Sequence, residues 1–206
     1  MAKHSVIEST TELRRSPAAH LDQLMAAATV TGARAVALRE IAFATQVSLR
    51  AVPGSAGHQA LAQATGVGLP EKVGQVAGEV SGTAVLWLGP DEFSVFNAAG
   101  EDLSPTLEAA LAEHEGQVTD LSANRTVLEL TGQAASLVLR KSCPADLHPR
   151  SFAVNQAITT TLANVPILLW RTTENGWYLM PRASFTEHVV HWLVDAMNEF
   201  ASEPVI

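Results

Sequence analysis

The stretch TAVLWLGPDEFSVF, residues 83–96, reads as two strands joined by a tight turn, with Pro90 and Asp91 at the central turn positions. A second hairpin is predicted at residues 166–180, PILLWRTTENGWYLM, where Asn175-Gly176 favours a type I′ turn. Similar elements flank both hairpins. A strand and a short helix precede each one (TQVSLRAV and GHQALAQATG; RTVLELT and GQAASLVLRKS), and a helix follows each (LSPTLEAALAEHEG; SFTEHVVHWLVDAMNEF).

The two halves of the chain therefore repeat one order of elements. Three pairs of residues match at shifts of 75, 83 and 80 positions: Gly57 with Gly132, Trp87 with Trp170, and Ser104 with Ser184, the two serines that are predicted to cap the helices after the hairpins. The order strand–helix–strand–strand–helix–strand is that of a split βαβ, ferredoxin-like unit. The sequence predicts an α+β protein with two related ferredoxin-like lobes, the first spanning residues 38–122 and the second 123–206.

Residues 1–37 are predicted to form an N-terminal arm. SPAAHLDQLMAAA reads as a short helix, with Ser16 as N-cap and Pro17 in the first turn. A helix this short does not fold alone in water. The arm is expected either to pack back on the body or to reach a neighbouring chain.

Composition excludes several classes of function. The chain has 206 residues, 47% of them hydrophobic and 17% charged, which predicts an ordered core. The net charge of −8 argues against a nucleic-acid partner. No run of about 18 apolar residues predicts a membrane span, and the polar His20, Asp22 and Gln23 argue against an export signal at Arg14-Arg15. A single cysteine fits a reducing compartment, so a cytoplasmic protein is expected.

The segment KSCPADLHPRSF, residues 141–152, is the strongest candidate site. Cys143 follows a predicted helix C-terminus, where the helix dipole disfavours a thiolate nucleophile. Prolines stiffen the backbone within the segment. A rigid elbow is therefore favoured over a catalytic cysteine, with Asp146, His148 and Arg150 bonding to backbone or to a partner.

Other candidate sites have structural explanations. His188, His191 and Asp195 resemble a metal-ligand set, but positions 188 and 195 lie about 10 Å apart along a helix, too far to share one ion. The four tryptophans are expected to fill the lobe cores and the seam between them. Neither GxGxxG nor GxxxxGK occurs, so no loop is predicted to hold a diphosphate. No catalytic, cofactor-binding or metal-binding residue is predicted.

Several motifs resemble one known family, the gamma subunit of heterotetrameric sarcosine oxidase. The resemblance covers most of the chain from about Leu38 onward. It is most specific in the Cys-Pro-x-Asp-Leu-His-Pro segment at residues 143–149 and in the Trp-Leu-Gly-Pro-Asp-Glu turn at residues 87–92.

The resemblance implies a non-catalytic, structural subunit of a cytoplasmic complex with alpha, beta and delta chains. That complex oxidatively demethylates sarcosine to glycine, hydrogen peroxide and a one-carbon unit for tetrahydrofolate. FAD, covalently attached FMN, NAD and the folate are expected on other subunits, and direct packing is expected on the alpha chain. The implied fold is that of the folate-binding part of aminomethyltransferases.

Two alternatives remain at this point. One is a stand-alone, folate-dependent protein of the aminomethyltransferase type. The other is an enzyme that uses Cys143 as its nucleophile.

Overall fold

The computed structural model describes residues 14–201, which fold into an α+β arrangement of helices and strands, in agreement with the predicted class. In chain order the elements are α1 (Asp22–Ala27), β1 (Ala37–Glu40), β2 (Thr45–Arg50), α2 (Ala56–Ala64), β3 (Val76–Gly78), β4 (Thr83–Gly89), β5 (Glu92–Asn97), α3 (Ser104–Leu111), β6 (Gln117–Asp120), β7 (Leu128–Thr131), α4 (Ala135–Arg140), β8 (Gln156–Leu162), β9 (Val165–Thr173), β10 (Gly176–Pro181) and α5 (Thr186–Ala201). No helix in this part of the chain is both long and apolar enough to span a bilayer.

The strands form two five-stranded antiparallel sheets. The first sheet has the order β3-β4-β5-β2-β6, and the second has the order β1-β7-β10-β9-β8. The predicted hairpins are confirmed, since β4 pairs with β5 and β9 pairs with β10. The two sheets have the same layout. The order β3-β4-β5-β2-β6 in the first sheet corresponds to β8-β9-β10-β7-β1 in the second, so β1 occupies the position that corresponds to β6.

β1 belongs to the second sheet, although the sequence places residues 38–40 with the first lobe. Its residues pair with β7, with Leu38 opposite Leu130. The backbone amide of Ile41, just after β1, donates to the carbonyl of Val127, just before β7, at 2.8 Å. A four-residue strand carries too little pattern to specify its partner, so this pairing was not visible in the sequence.

The molecule has four layers, with the two sheets face to face and helices on both outer sides. In β10, Trp177 and Leu179 point to a core shared with α1, α4 and α5, whereas Tyr178 and Met180 point to the other sheet. On the other side, α2 and α3 cover the first sheet. Because both faces of the central strands are buried, β10 is apolar along most of its length.

The seam between the sheets is built around Trp170. Its indole packs edge-to-face against Phe96 of the first sheet and Tyr178 of the second, with ring centroids 5.6 and 5.7 Å away. Its Nε1–H donates to the Asn155 side-chain carbonyl at 3.2 Å, and the Asn155 amide nitrogen donates to the backbone carbonyl of Gly78 at 3.0 Å. This relay of hydrogen bonds joins the two halves at the seam.

Trp87 and Trp170, which the sequence aligns, lie on opposite faces of their sheets. Trp87 packs against the outer core beneath α2 and α3, while Trp170 fills the seam. The strand β4 has an irregularity between Trp87 and Gly89, and β10 has one beside Gly176. Since a shift of one residue turns a side chain to the other face, equal spacing does not imply an equal environment.

The N-terminal segment packs on the second sheet from residue 14 onward. Ala18, Leu21 and Met25 join the core that α4 and α5 cover. Ser16 is not a helix cap as predicted, because α1 begins at Asp22 and the Ser16 hydroxyl donates to Glu40. The part of the predicted arm at residues 1–13 lies outside the described residues.

Local turn and cap predictions were partly wrong. A type I′ turn needs positive φ at both central residues, and neither Asn175 nor Gly176 has one; the pair Ala163 and Asn164, between β8 and β9, has φ values of 48° and 65°. Ser104 is the first residue of α3 and Leu103 is its N-cap, so the Ser104 hydroxyl does not cap the helix.

Two glycines, Gly57 and Gly132, lie at equivalent positions in the two halves, where a backbone carbonyl leaves no room for a Cβ atom. A Cβ on Gly57 would lie 2.4 Å from the carbonyl oxygen of Glu115, two residues before β6. A Cβ on Gly132 would lie 2.2 Å from the carbonyl oxygen of Ala35, two residues before β1. The pairing of Gly57 with Gly132 in the sequence therefore corresponds to a shared packing role.

Candidate interaction surface at residues 141–152

The segment 141–152 runs from the end of α4 towards β8 and alternates between buried and exposed residues. Cys143, Leu147 and Phe152 are buried in the core of the second sheet. The side chains of Asp146, His148 and Arg150 are exposed on its outer side. Buried apolar residues thus hold the backbone while the predicted polar residues face outward. We call residues 141–152 the elbow.

Arg171 on β9 holds the far end of the elbow. Its guanidinium is buried, and it donates to the carbonyl of Phe152 at 2.6 Å and to the carbonyl of Glu174 at 2.8 Å. It also lies over the Trp177 ring, 5.5 Å from the centroid. One cation therefore ties the elbow to the turn between β9 and β10.

Lys141 holds the near end. Its Nζ donates to the carbonyl of Ala196 on α5 at 2.6 Å and pairs with Glu199 at 2.7 Å. The hydrogen bond and charge of Lys141 hold the pKa of Glu199 below its usual value. The Ser142 hydroxyl also accepts from the amide of Ala163 at 3.1 Å.

Short-range hydrogen bonds shape the exposed tip. The Asp146 carboxylate accepts from the amide of His148 at 3.0 Å, and His148 Nδ1 accepts from the amide of Arg150 at 3.2 Å. Hydrogen bonds from the Ser151 side chain, and then from the His148 amide, lower the pKa of Asp146. The carboxylate thus stays ionised to lower pH than an ordinary aspartate, and its turn would weaken only as the pH falls through that lowered pKa.

In the described part of the chain, the hydrogen-bond partner of the Cys143 sulfur is a hydroxyl and not a base. The Cys143 sulfur meets the hydroxyl of Thr160 at 3.9 Å. Nδ1 of His148, two residues beyond Asp146, is engaged by a backbone amide. A thiol needs a base within hydrogen-bond reach to act as a nucleophile, and a neutral hydroxyl is not such a base.

The histidines of α5 do not combine into a metal site. His191 Nε2 lies 4.0 Å from a carboxylate oxygen of Glu187, one turn earlier on the exposed face of the helix. Between residues 14 and 201, no three side chains of histidine, cysteine, aspartate or glutamate are placed to hold one ion together.

Sequence reasoning finds the elbow but misses what anchors it. From the sequence, Lys141 is recognised only as the first residue of the motif and Arg171 only as a residue of the second hairpin. Neither is predicted to anchor the elbow. The available signal is that Arg171 interrupts an apolar run, because a buried cation requires hydrogen-bond acceptors nearby.

Substitution of Arg171 by methionine is expected to loosen the elbow. It would leave the carbonyls of Phe152 and Glu174 without their donor, and we expect a loss of about 2–4 kcal/mol in the free energy of unfolding. Urea unfolding measures the loss, and hydrogen–deuterium exchange at residues 147–152 should accelerate.

Arg39→Met is the matched control for this substitution. Arg39 lies on β1 of the same sheet and forms an exposed ion pair with Glu129, which should contribute about 1 kcal/mol or less. Equal losses for the two variants would contradict the anchoring role of Arg171.

The elbow combines a backbone that is held by buried residues with polar side chains that face outward. A firmly anchored loop that presents polar side chains is suited to contacts with another chain, because docking it costs little conformational entropy. The family model described as "Sarcosine oxidase, gamma subunit family" matches residues 51–199. The chain belongs to this family, and its function is that of a gamma subunit of sarcosine oxidase, an oxidoreductase.

Curated relatives agree along the whole chain. The sarcosine oxidase gamma subunits of Corynebacterium sp. strain U-96 and strain P-1 are both 67% identical over 205 residues, covering 100% of this chain and 100% of each relative. The corresponding subunit of an Arthrobacter species is 66% identical over the same length.

Two solved structures place the fold. A chain of the heterotetrameric sarcosine oxidase from Corynebacterium sp. U-96, solved with pyrrole 2-carboxylate, is 68% identical, with a TM-score of 0.92 over 94% of this chain and 100% of that one. The glycine cleavage system aminomethyltransferase T of Bartonella henselae is 19% identical, with a TM-score of 0.57 over 77% of this chain and 45% of that one. The second likeness shows a shared fold alone.

Proposed function

We propose that this chain is the gamma subunit of a heterotetrameric sarcosine oxidase and that it serves as a non-catalytic, structural subunit packed on the alpha chain. The observation that carries the proposal is its structural match to a whole chain of such an enzyme, with a TM-score of 0.92. The complex would convert sarcosine to glycine, hydrogen peroxide and a one-carbon unit for tetrahydrofolate.

The cofactors of the reaction would reside on the partners. FAD, FMN and NAD would bind to the alpha and beta chains and tetrahydrofolate to a subunit other than this one, with the delta chain completing the assembly in the cytoplasm. The sequence supports this assignment because it contains neither of the two glycine patterns that hold nucleotide phosphates.

We infer that each sheet belongs to one ferredoxin-like lobe. In the first sheet, β2 and β4 are linked through α2 and separated by β5, as in a split βαβ unit. In the second, β7 and β9 are linked through α4 and separated by β10. The first lobe would end near residue 122 and the second would begin near residue 123, with β1 completing the second lobe from the arm.

The elbow is proposed as part of the contact with the alpha chain. Asp146, His148 and Arg150 extend from a backbone fixed at Cys143 and Leu147, so docking them costs little conformational entropy. A lasting subunit contact buries more than about 1,000 Å² in total, so the elbow would supply only part of it.

Co-expression with the alpha, beta and delta chains tests the proposal. The chain should elute with its partners at physiological salt, and flavin absorbance should follow the larger chains. A chain that purifies alone, or that binds flavin or oxidises sarcosine alone, would contradict it. Micromolar binding of tetrahydrofolate to the isolated chain, measured by calorimetry, would instead favour the stand-alone, aminomethyltransferase-like function.

Cys143→Ser separates a structural cysteine from a catalytic one in the same complex. Because the sulfur is buried beside Thr160, we expect assembly and sarcosine turnover to stay close to those of the unmodified complex. Abolished turnover in an intact, flavin-loaded complex would establish Cys143 as a nucleophile.

A further inference from the structure

A cleft of about 380 Å³ opens where the outer edges of the two sheets meet, away from the elbow. The ends of β1 and β6 border it, together with the loop that leads to β7. Its lining includes Arg14, Arg15 and Arg125 above an apolar floor that contains Ile41 and Val127.

Three arginines and two carboxylates line the cleft. Within residues 14–201, none of Arg14, Arg15 and Arg125 forms an ion pair. Burial, and then the neighbouring Arg182, hold the pKa of Arg125 below its usual value. Arg125 donates one hydrogen bond, from Nη1 to the carbonyl of Met180 at 3.0 Å. An anion in the cleft would offset this charge.

The acidic residues of the cleft are engaged by neutral groups. Glu40 accepts from the Ser16 hydroxyl and from the amide of Ala18 at 3.2 Å. Asp120 accepts from the amide and the hydroxyl of Ser122 at 2.9 and 2.6 Å. Both carboxylates keep their negative charge, so the three arginines and two carboxylates give the described lining a net charge of +1.

The rim of the cleft is apolar and aromatic. Phe43 is 43% exposed, and the guanidinium of Arg14 lies 4.7 Å from its ring centroid. Leu121, between two lining residues, is 38% exposed. Arginine and aromatic side chains around a partly buried pocket are typical of protein–protein interfaces.

We propose that this cleft docks an acidic peptide segment of a partner subunit, with its carboxylates on Arg15 and Arg125 and an apolar residue against Phe43. The inference rests on the proposed function, because it names the chemistry of the partner surface. Arginines outnumber carboxylates in this lining although the chain as a whole has a net charge of −8, so an acidic partner would find a complement at this edge.

The test measures release of the chain from the co-expressed heterotetramer by native mass spectrometry as the salt concentration increases. Arg15→Gln combined with Arg125→Gln should weaken retention about tenfold and flatten its salt dependence. Glutamate at both positions should weaken it further. Lys72→Gln is the control, since Lys72 precedes β3, at the opposite edge of the first sheet, and should leave retention unchanged.

The outcomes separate the inference from the proposed function. Arg15→Gln alone keeps the experiment interpretable if Arg125 variants unfold, because Arg15 is exposed. If the unmodified chain and the arginine variants assemble equally well, the docking inference is wrong and the proposed function stands. If the unmodified chain does not assemble, both are wrong. A third outcome is that citrate raises the melting temperature of the isolated chain, that the arginine variants lose this effect, and that assembly is unaffected. The cleft would then be a site for small anions, and the peptide proposal would be wrong.

Discussion

Replacing Trp170 with alanine is expected to lower the free energy of unfolding by about 3–5 kcal/mol. The side chain is fully buried between the sheets and contacts an aromatic ring from each of them. Its removal would leave a cavity at the seam and deprive Asn155 of its indole donor. Urea unfolding of the full chain, followed by circular dichroism, measures the loss.

Trp192→Ala is the matched control, because it deletes the same side chain from a partly buried position on α5. We expect a clearly smaller loss there. A Trp170 variant as stable as the Trp192 variant would show that the seam contributes little to folding. Trp170→Phe should retain most of the stability and lose about 1 kcal/mol with the hydrogen bond.

Gly132→Ala is expected to destabilise the protein by about 2–5 kcal/mol. Gly132 has a φ of 114°, which L-residues rarely adopt, and its Cβ would press against the carbonyl of Ala35. That carbonyl also accepts from the amide of Ala134 at 3.1 Å, so it is fixed from the other side. The pairing of β1 with β7 should therefore loosen, and amide exchange in both strands should accelerate.

Gly82→Ala provides the comparison for this change. Gly82 is exposed in the turn before β4 and has no positive φ, and a Cβ added there would meet open space, with no neighbouring atom within 4 Å. Alanine there should alter stability by less than about 1 kcal/mol. Equal effects at the two positions would rule out the close approach as the cause.

The repeated order of elements was predictable because each element carries its own local signal. The hairpin at residues 83–96 has Pro90 and Asp91 in its turn, and its strands pair as expected. Val47 and Leu49, which alternate with polar residues along β2, are likewise buried together in one core. Such patterns span six or more residues and need no knowledge of distant partners.

Features that depend on distant contacts were not predictable. The partner of β1, the opposite facing of Trp87 and Trp170, and the anchoring of the elbow by Arg171 all join residues far apart in the chain. The cleft was missed for the same reason, since Arg14 and Arg15 meet Arg125 only after the sheets assemble.

The placement of β1 makes the second sheet discontinuous in the chain, because all strands of the first sheet come between β1 and its neighbour β7. Among the described strands, β1 leaves the ribosome first, and its partner β7 follows only after the first sheet has been synthesised, so β1 keeps an unsatisfied strand edge while the first sheet folds. A circular permutation that moved residues 14–40 behind α5 would let each sheet form from one uninterrupted stretch of chain, so that neither sheet would have to wait for the other to be synthesised.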